Sequence, residues 1–343
     1  MNCGCRLLGS THADFGDCKS GGEIEEKRAF LLHFADFFVP SQALRNERLK
    51  QMDLQQLTLS VCRVAREAGA YINKERASFS LDKVERKHAH DYVSYVDKGS
   101  EQLIVKALRE LLPEAGFITE EGTTMEDVRG KMEDVRCQKE DASDVSPQPS
   151  DFTWVVDPLD GTTNFIHGFA PYAVSIALCK GREIVIGVVY EIVSDECFYA
   201  WQGGGAWMSD GRCKMDDGRC KMLHVGKSEI NDALLCLQLP YNSDAYKPVI
   251  KRLIDHFYGN VGSIRMMGSA AIALCYVAAG RLDAYAERYI GQWDYMAGAL
   301  IVQEAGGRVT NYAGDDYFME GDSIVATNGV VHQDLLEAVR QAE

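Results

Sequence analysis

The stretch that most constrains this chain is Trp154-Val155-Val156-Asp157-Pro158-Leu159-Asp160-Gly161-Thr162-Thr163-Asn164-Phe165. A strand-forming run from Phe152 to Val156 ends there in two carboxylates three residues apart, on either side of a proline. Proline fixes its own φ and glycine tolerates a sharp turn, so Asp157 and Asp160 can project together from the end of a strand. Two hard oxygen donors with backbone carbonyls beside them suit Mg²⁺, which takes octahedral oxygen sites and keeps water in its remaining positions. The amides and hydroxyls of Gly161, Thr162 and Thr163 offer a nest for a phosphate oxygen. An isolated Asp-Pro-x-Asp-Gly is equally compatible with a plain turn that caps the next element. The rest of the chain decides between these readings.

Charge bears on that decision. With 51 acidic against 36 basic residues the formal net charge is −15, which argues against binding nucleic-acid phosphates through a broad basic surface. An acidic protein acting on a phosphate needs a local source of positive charge, and metal ions supply one. The 46% hydrophobic and 25% charged composition is that of a globular chain with a sizeable core. Eleven cysteines are scattered without a C-x-x-C pair, which fits free thiols in a reducing cytoplasm better than a disulfide framework. The apolar stretch at 29–40 is broken by His33 and Asp36 and falls short of the roughly 20 residues that span a bilayer. The expected location is the cytoplasm, with no membrane partner.

Residues 1–51 show no sustained period, and either translation begins at Met52 or this extension is a disordered tail. From Asp53, a natural N-cap, apolar residues at Leu54, Leu57, Val61, Val64, Ala65, Ala68 and Ile72 predict a helix. A second helix is expected over 99–112. The acidic stretch 123–150, with Met-Glu-Asp-Val-Arg repeated at 125 and 132, reads as a mobile loop. A second duplication, Asp-Gly-Arg-Cys-Lys-Met at 210 and 217, reads as another insertion in a surface loop. Strands are expected at 152–156, 173–179, 184–189, 196–200 and 282–286, and helices at 269–279 and 295–305. This succession predicts a layered α/β sandwich in two lobes, 52–224 and 225–343.

The string at 154–165 resembles the first signature of the inositol monophosphatase family, W-x-x-D-P-[IL]-D-G-T-T-N-F. The second family signature is matched by Trp293-Asp294-Tyr295-Met296-Ala297-Gly298 through Glu304-Ala305-Gly306-Gly307, about 135 residues further on and in the family's order. Phe117-Ile118-Thr119-Glu120-Glu121 is similar to F-I-G-E-E, with Thr119 in place of glycine, and Asp91 through Asp97 is similar to D-x-V-[TS]-x-x-D. The resemblance covers roughly residues 53–340, outside the duplicated loops.

What the resemblance implies is specific. The fold would be the α/β/α/β/α sandwich of the sugar-phosphatase type shared by fructose bisphosphatases and inositol monophosphatases. The chain would be a homodimer, Mg²⁺-dependent with two or three ions, and sensitive to lithium. Glu120, Asp157 and the Leu159 carbonyl would hold one ion; Asp157, Asp160 and Asp294 would hold a second. Thr162, paired with Asp97, would position a water polarised by Glu120 and metal. Glu121 would be structural. Glu287 would bind polyol hydroxyls, with Gly268, Ser269 and Ala270 lining the same pocket, although Ser269 also suits a simple N-cap.

The implied activity is hydrolysis of a small phosphorylated polyol or sugar, with myo-inositol monophosphate foremost. The Thr163-Asn164 pair favours that subfamily over relatives that act on phosphoadenosine phosphate. Fructose 1,6-bisphosphatase activity stays open, and so does a non-catalytic phosphate-binding role. Against the latter, Glu120, Asp157, Asp160 and Asp294 are all present. His88, His90, His167, His224 and His256 read as surface or structural residues.

Overall fold

A computed structural model describes residues 53–79, 84–88, 91–122, 151–210, 220–239, 243–316, 318–319 and 321–343. The expectations for residues 1–52, for the loop at 123–150 and for most of the duplication after Asp210 lie outside the described residues. Asp53–Glu343 forms one compact unit.

The described residues open with helix α1 (Leu54–Arg76), capped by the Asp53 carboxylate, which accepts the Gln56 N–H at 3.1 Å. Strands β1 (Val84–His88) and β2 (Asp91–Ser94) form a small antiparallel pair. Helix α2 (Tyr95–Leu111) starts four residues before its expected position, and Gly99 lies inside it. A β-carbon on Gly99 would stand 2.2 Å from the Tyr71 hydroxyl, so this glycine lets α2 lie against α1.

Strands β3 (Gly116–Thr119), β4 (Phe152–Asp160), β5 (Ala173–Lys180), β6 (Glu183–Glu191), β7 (Glu196–Trp201), β8 (Ala206–Asp210) and β9 (Lys221–Met222) form a seven-stranded sheet in sequence order. Only the β3–β4 pair in it is parallel. β9 uses the end of the second duplicated copy, which therefore completes a sheet edge instead of lying wholly in a loop. A short helix α3 (Thr162–His167) follows β4. β5 and β6 are buried almost throughout because helices cover both faces of the sheet.

The second sheet has five strands in the order β11-β10-β12-β14-β13: β10 (Leu234–Leu237), β11 (Ser263–Arg265), β12 (Ala284–Ile290), β13 (Arg308–Thr310) and β14 (Asp322–Thr327). Its helices are α4 (Ser243–Phe257), α5 (Ala270–Ala278), α6 (Gln292–Glu304) and α7 (His332–Ala342). α1 and α2 pack on one face of the first sheet; α5 and α6 fill the space between the sheets; α4 and α7 cover the far face of the second. The result is the expected five-layer α/β/α/β/α sandwich.

The central layer explains two features of the sequence. α5 is buried along its length except at the half-buried Tyr276, as its run of Ala, Ile, Leu and Val requires. α6 approaches both neighbours closely. A β-carbon on Gly187 would lie 2.4 Å from the Ala297 carbonyl oxygen, and one on Gly298 would lie 2.6 Å from Leu274 Cβ.

Three boundaries differ from the sequence reading in ways that build the site. β4 continues through Asp160, because a bulge between Asp157 and Asp160 absorbs Pro158, which cannot donate to the ladder. β12 begins and ends later than expected, since the Asp283 carboxylate is taken up by Leu234 N–H and Asn328 before the strand starts. α6 starts three residues earlier than expected and so carries Asp294 in its first turn. Among the described residues, no helix is long and apolar enough to cross a membrane, and Cys62, Cys179, Cys197, Cys220, Cys236 and Cys275 are free thiols.

Candidate active site

In a regular strand, residues three apart face opposite ways. Asp157 pairs with Ser175 and Asp160 with Ala173, so β4 spends one extra residue between them. That bulge turns both carboxylates to one side. There they meet Asp294 from the start of α6, and one oxygen from each of the three lies within 4.8 Å of the others.

Each carboxylate is held by the backbone. Asp157 accepts the Leu159 N–H at 2.8 Å, and Asp294 accepts the Gly291 N–H at 2.9 Å. Asp160 accepts the Ser269 hydroxyl together with the N–H groups of Ala270 at 3.2 Å and Ala271 at 3.0 Å, and so sits at the N-terminus of α5. Burial, and then the charges of Glu120, Asp160 and Asp294, hold the Asp157 carboxyl well above the usual carboxylate range. Asp294 is raised for the same kind of reason, burial first and then Glu120, Asp160 and Glu287. Burial lifts Asp160 to about 6, against the lowering effect of the donors from Ser269 and α5.

Glu120 follows β3, and its N–H reaches the Val156 carbonyl at 3.2 Å, which places it beside the end of β4. Thr119, where the family motif has glycine, continues the parallel pairing opposite Val156, a position that suits a β-branched residue. The Thr162 hydroxyl lies 2.9 Å from Asp97 Oδ1 and 3.0 Å from the Leu159 carbonyl. With one proton it donates to one of them at a time. Gly161, just before it, has φ +87°, and a β-carbon there would come within 3.0 Å of the Gly268 carbonyl oxygen. The turn therefore needs glycine.

A cavity of about 410 Å³ opens over these groups. Of the residues expected from the sequence, Glu120, Asp157, Leu159, Asp160, Gly161, Thr162, Thr163, Gly268, Ala270, Glu287 and Asp294 line it. Asp97 and Ser269 do not; they reach the site through Thr162 and Asp160. Burial pushes the Glu287 carboxyl up to about 8, opposed by the Tyr285 hydroxyl that it accepts and assisted by the Asp160 charge. No Lys, Arg or His is among the described residues lining the cavity. Carboxylates this close, buried or half-buried without a cationic side chain lining the cavity, form the donor set a hard divalent cation takes.

Several contributors lie outside the residues expected from the sequence. On one face of α2, Ser100 donates to the Pro158 carbonyl at 3.1 Å and the Glu101 carboxylate accepts the Glu121 N–H at 2.8 Å. Both follow Asp97 at helical spacing, which is a readable signal once the helix is known to include Asp97. Gln238, at the end of β10, accepts the N–H groups of Met267 at 3.0 Å and Gly268 at 3.2 Å. Asn164 donates to the carbonyls of Pro171 at 2.8 Å and Met267 at 2.9 Å. Gln238, Leu239 and Tyr289 also line the cavity. Gln238 was visible as a lone polar residue in an apolar run; nothing in the sequence pattern marked Tyr289.

The profile of the inositol monophosphatase family matches residues 53–343. The chain belongs to that family. A Nus factor SuhB from Pseudomonas aeruginosa is 36% identical over 284 residues, covering 81% of this chain and 93% of the relative. An inositol-1-monophosphatase from Mesorhizobium japonicum is 34% identical over 277 residues, again 81% of this chain and 93% of the relative. The solved structure of the extragenic suppressor protein suhB from Bartonella henselae superposes with a TM-score of 0.69 at 29% identity, covering 84% of this chain and 99% of that one. The fold is that of the inositol monophosphatase family, and the acidic cluster lies between its two signature segments.

Proposed function

We propose that this chain is a Mg²⁺-dependent phosphomonoesterase that hydrolyses a small phosphorylated polyol or sugar, with myo-inositol monophosphate as its main substrate. The observation that carries this reading is the meeting of Asp157, Asp160 and Asp294 within 4.8 Å at the floor of the cavity. Mg²⁺ fits a site built of carboxylates and a backbone carbonyl. Glu120, Asp157 and the Leu159 carbonyl would hold one ion, and Asp157, Asp160 and Asp294 a second. When bound, such ions neutralise a phosphate dianion and lower the pKa of a water molecule.

The chain's own groups do the rest. Thr162, donating to Asp97, keeps its lone pairs free to accept a hydrogen bond from the attacking water, and Glu120 is placed to take a proton from it. Asp97, Thr162 and Glu120 form the proposed catalytic set. The turn Gly161-Thr162-Thr163 faces the phosphate. Glu287, held largely neutral by burial, can both donate to and accept from a substrate hydroxyl. Gly268 and Ala270 close the wall, while the Ser269 hydroxyl and the Ala270 N–H fix Asp160.

A second reading draws on the SuhB relatives, which bear the description Nus factor: this chain would then take part in a transcription complex. Its net charge of −15 directs such a role towards a protein partner instead of nucleic-acid phosphates. Cytoplasmic location, lithium sensitivity and a homodimer belong to the proposal as well. The deciding test is phosphate release with Mg²⁺ from myo-inositol 1-phosphate, fructose 1,6-bisphosphate and phosphoadenosine phosphate. Turnover led by the inositol phosphate supports the reading. Turnover led by either rival moves the substrate, and none on any of the three leaves the non-catalytic role.

A further inference from the structure

Tyr289 adopts a backbone conformation that tyrosine avoids. Its φ is +58°, in the left-handed region where bulky residues are outliers and glycine is at ease. It sits at the irregularity in the β12–β14 register between Arg288 and Ile290, two residues after Glu287. A glycine would make this bend without strain, so the side chain has to be explained by what it meets.

Tyr289 lines the cavity and is 44% exposed. The ring is also held from behind. The buried Tyr246 packs against it edge to face at 6.3 Å between centroids, and the Arg288 guanidinium lies 5.5 Å from its centroid. Arg288 is itself tied to Asp322 at 3.3 Å and to Glu343, and Tyr246 to the Tyr312 hydroxyl at 3.2 Å. The aromatic surface is therefore fixed before any ligand arrives, and backbone strain of this kind gathers at ligand clamps.

The cavity thus has two unlike parts. Asp157, Asp160 and Asp294 make one end acidic, while Tyr289, with Leu239 and Ile290, adds an aromatic and apolar wall. A ligand that fills both carries an anionic group, neutralised by cations, on a body that is polar at its edge and apolar on its face. A cyclic polyol or sugar has that form: hydroxyls project around the ring and C–H bonds stand on its faces. An acyclic polyol has no fixed C–H face. We infer that Tyr289 is a specificity-determining residue, its ring packing against the C–H face of a cyclic polyol or sugar phosphate and selecting it over acyclic phosphate monoesters. The inference rests on the phosphomonoesterase reading and names the substrate class within it.

The test compares the full chain with its Tyr289→Gly and Tyr289→Phe variants, with Mg²⁺, on myo-inositol 1-phosphate and glycerol 2-phosphate. Tyr289→Gly raises KM for the cyclic phosphate about tenfold, the size of one aromatic packing contact, with a smaller effect on kcat. The acyclic KM moves less than about twofold, the thermal midpoint does not fall, and Tyr289→Phe keeps the wild-type ratio. Equal changes on both substrates, or none on either, overturn the inference. Calorimetric binding of the same two phosphates separates it from the hydrolase reading. Should the wild type hydrolyse neither, a cyclic preference in binding that Tyr289→Gly abolishes still supports the inference. Equal affinities, or no measurable binding, overturn it.

Discussion

The Glu101 carboxylate, buried on α2, accepts the backbone N–H of Glu121 at 2.8 Å and so fixes the peptide that follows Glu120. Asp97, Ser100 and Glu101 share one helix face and reach three separate segments, at Thr162, Pro158 and Glu121. Helix α2 acts as a brace behind the acidic cluster. Glu101→Ala removes the acceptor of a hydrogen bond to a charged group, which costs about 1.5–3 kcal/mol. It also raises the Mg²⁺ concentration for half-activation by about 10–100-fold, as loss of a ligand's support commonly does. Thermal unfolding and a Mg²⁺ activation curve check both. An unchanged activation curve in a folded variant would remove the brace from the account.

Ser269 has two duties, since it caps α5 through Ile272 N–H at 3.3 Å and donates to Asp160. Ser269→Ala is expected to cost about 1 kcal/mol of stability through the lost cap. Mg²⁺ affinity falls as well, and Ser269→Thr restores most of both. Loss of stability with metal affinity intact would reduce Ser269 to its capping role.

Gly187 marks the contact between the first sheet and α6. Its β-carbon position is 2.4 Å from a backbone oxygen, that of Ala297, which cannot swing aside. Gly187→Ala therefore destabilises by about 3 kcal/mol through overpacking. Urea unfolding measures this, and a loss under about 1 kcal/mol would mean that α6 shifts freely on the sheet.

His332 provides a pH-dependent term remote from the cavity. It is buried, with Nε2 at 3.1 Å from Thr310 Oγ1 and Nδ1 at 3.0 Å from Thr327 Oγ1. Because Thr310 donates to the Asn311 carbonyl at 2.9 Å, the Nε2–H donates to Thr310 and the bare Nδ1 accepts from Thr327. This arrangement suits a neutral ring. Burial, then the Arg308 charge, lower its pKa to about 4, with Asp316 opposing. The unfolded chain takes up the proton near pH 6.5, so stability from the neutral ring is complete above about 6.5 and is lost as pH falls towards about 4. The loss is at most about 3 kcal/mol, and His332→Gln flattens the slope in that window. An identical slope in the variant would assign the effect elsewhere.

Much of this fold was legible because the sequence carries strong local signals. Asp53 announced α1, and the Ala- and Leu-rich run of α5 announced a buried helix. The paired carboxylates of β4 and the Trp293-Asp294 segment pointed to the cluster before their meeting could be seen. The parts that were not legible depend on distant neighbours. Gly99 looks like a weak point in a helix until Tyr71 is seen against it. β4 runs on through Pro158 only because a bulge absorbs the missing N–H. The α2 brace needs Pro158 and Glu121 to come within reach, and no periodicity reports that. β10 and β14 were not expected from their short runs, and α4 and α7 were missed although Tyr246, Val249 and Leu253, and Leu335, Leu336 and Val339, recur at helical spacing. Tyr289 gave no local sign at all, since its strain is a property of the β12–β14 register.

Asp157, Asp160 and Asp294 are proposed to form a divalent-metal centre for phosphate-ester hydrolysis. The most direct measurement is phosphate release from myo-inositol 1-phosphate by the chelated full chain, then with Mg²⁺ restored, beside Asp157→Asn. The expected result is no turnover after chelation, recovery with Mg²⁺, and a loss of at least about 100-fold in a folded Asp157→Asn variant, about 2.7 kcal/mol of barrier. Turnover that survives chelation, or an Asp157→Asn variant as active as the wild type, would contradict it.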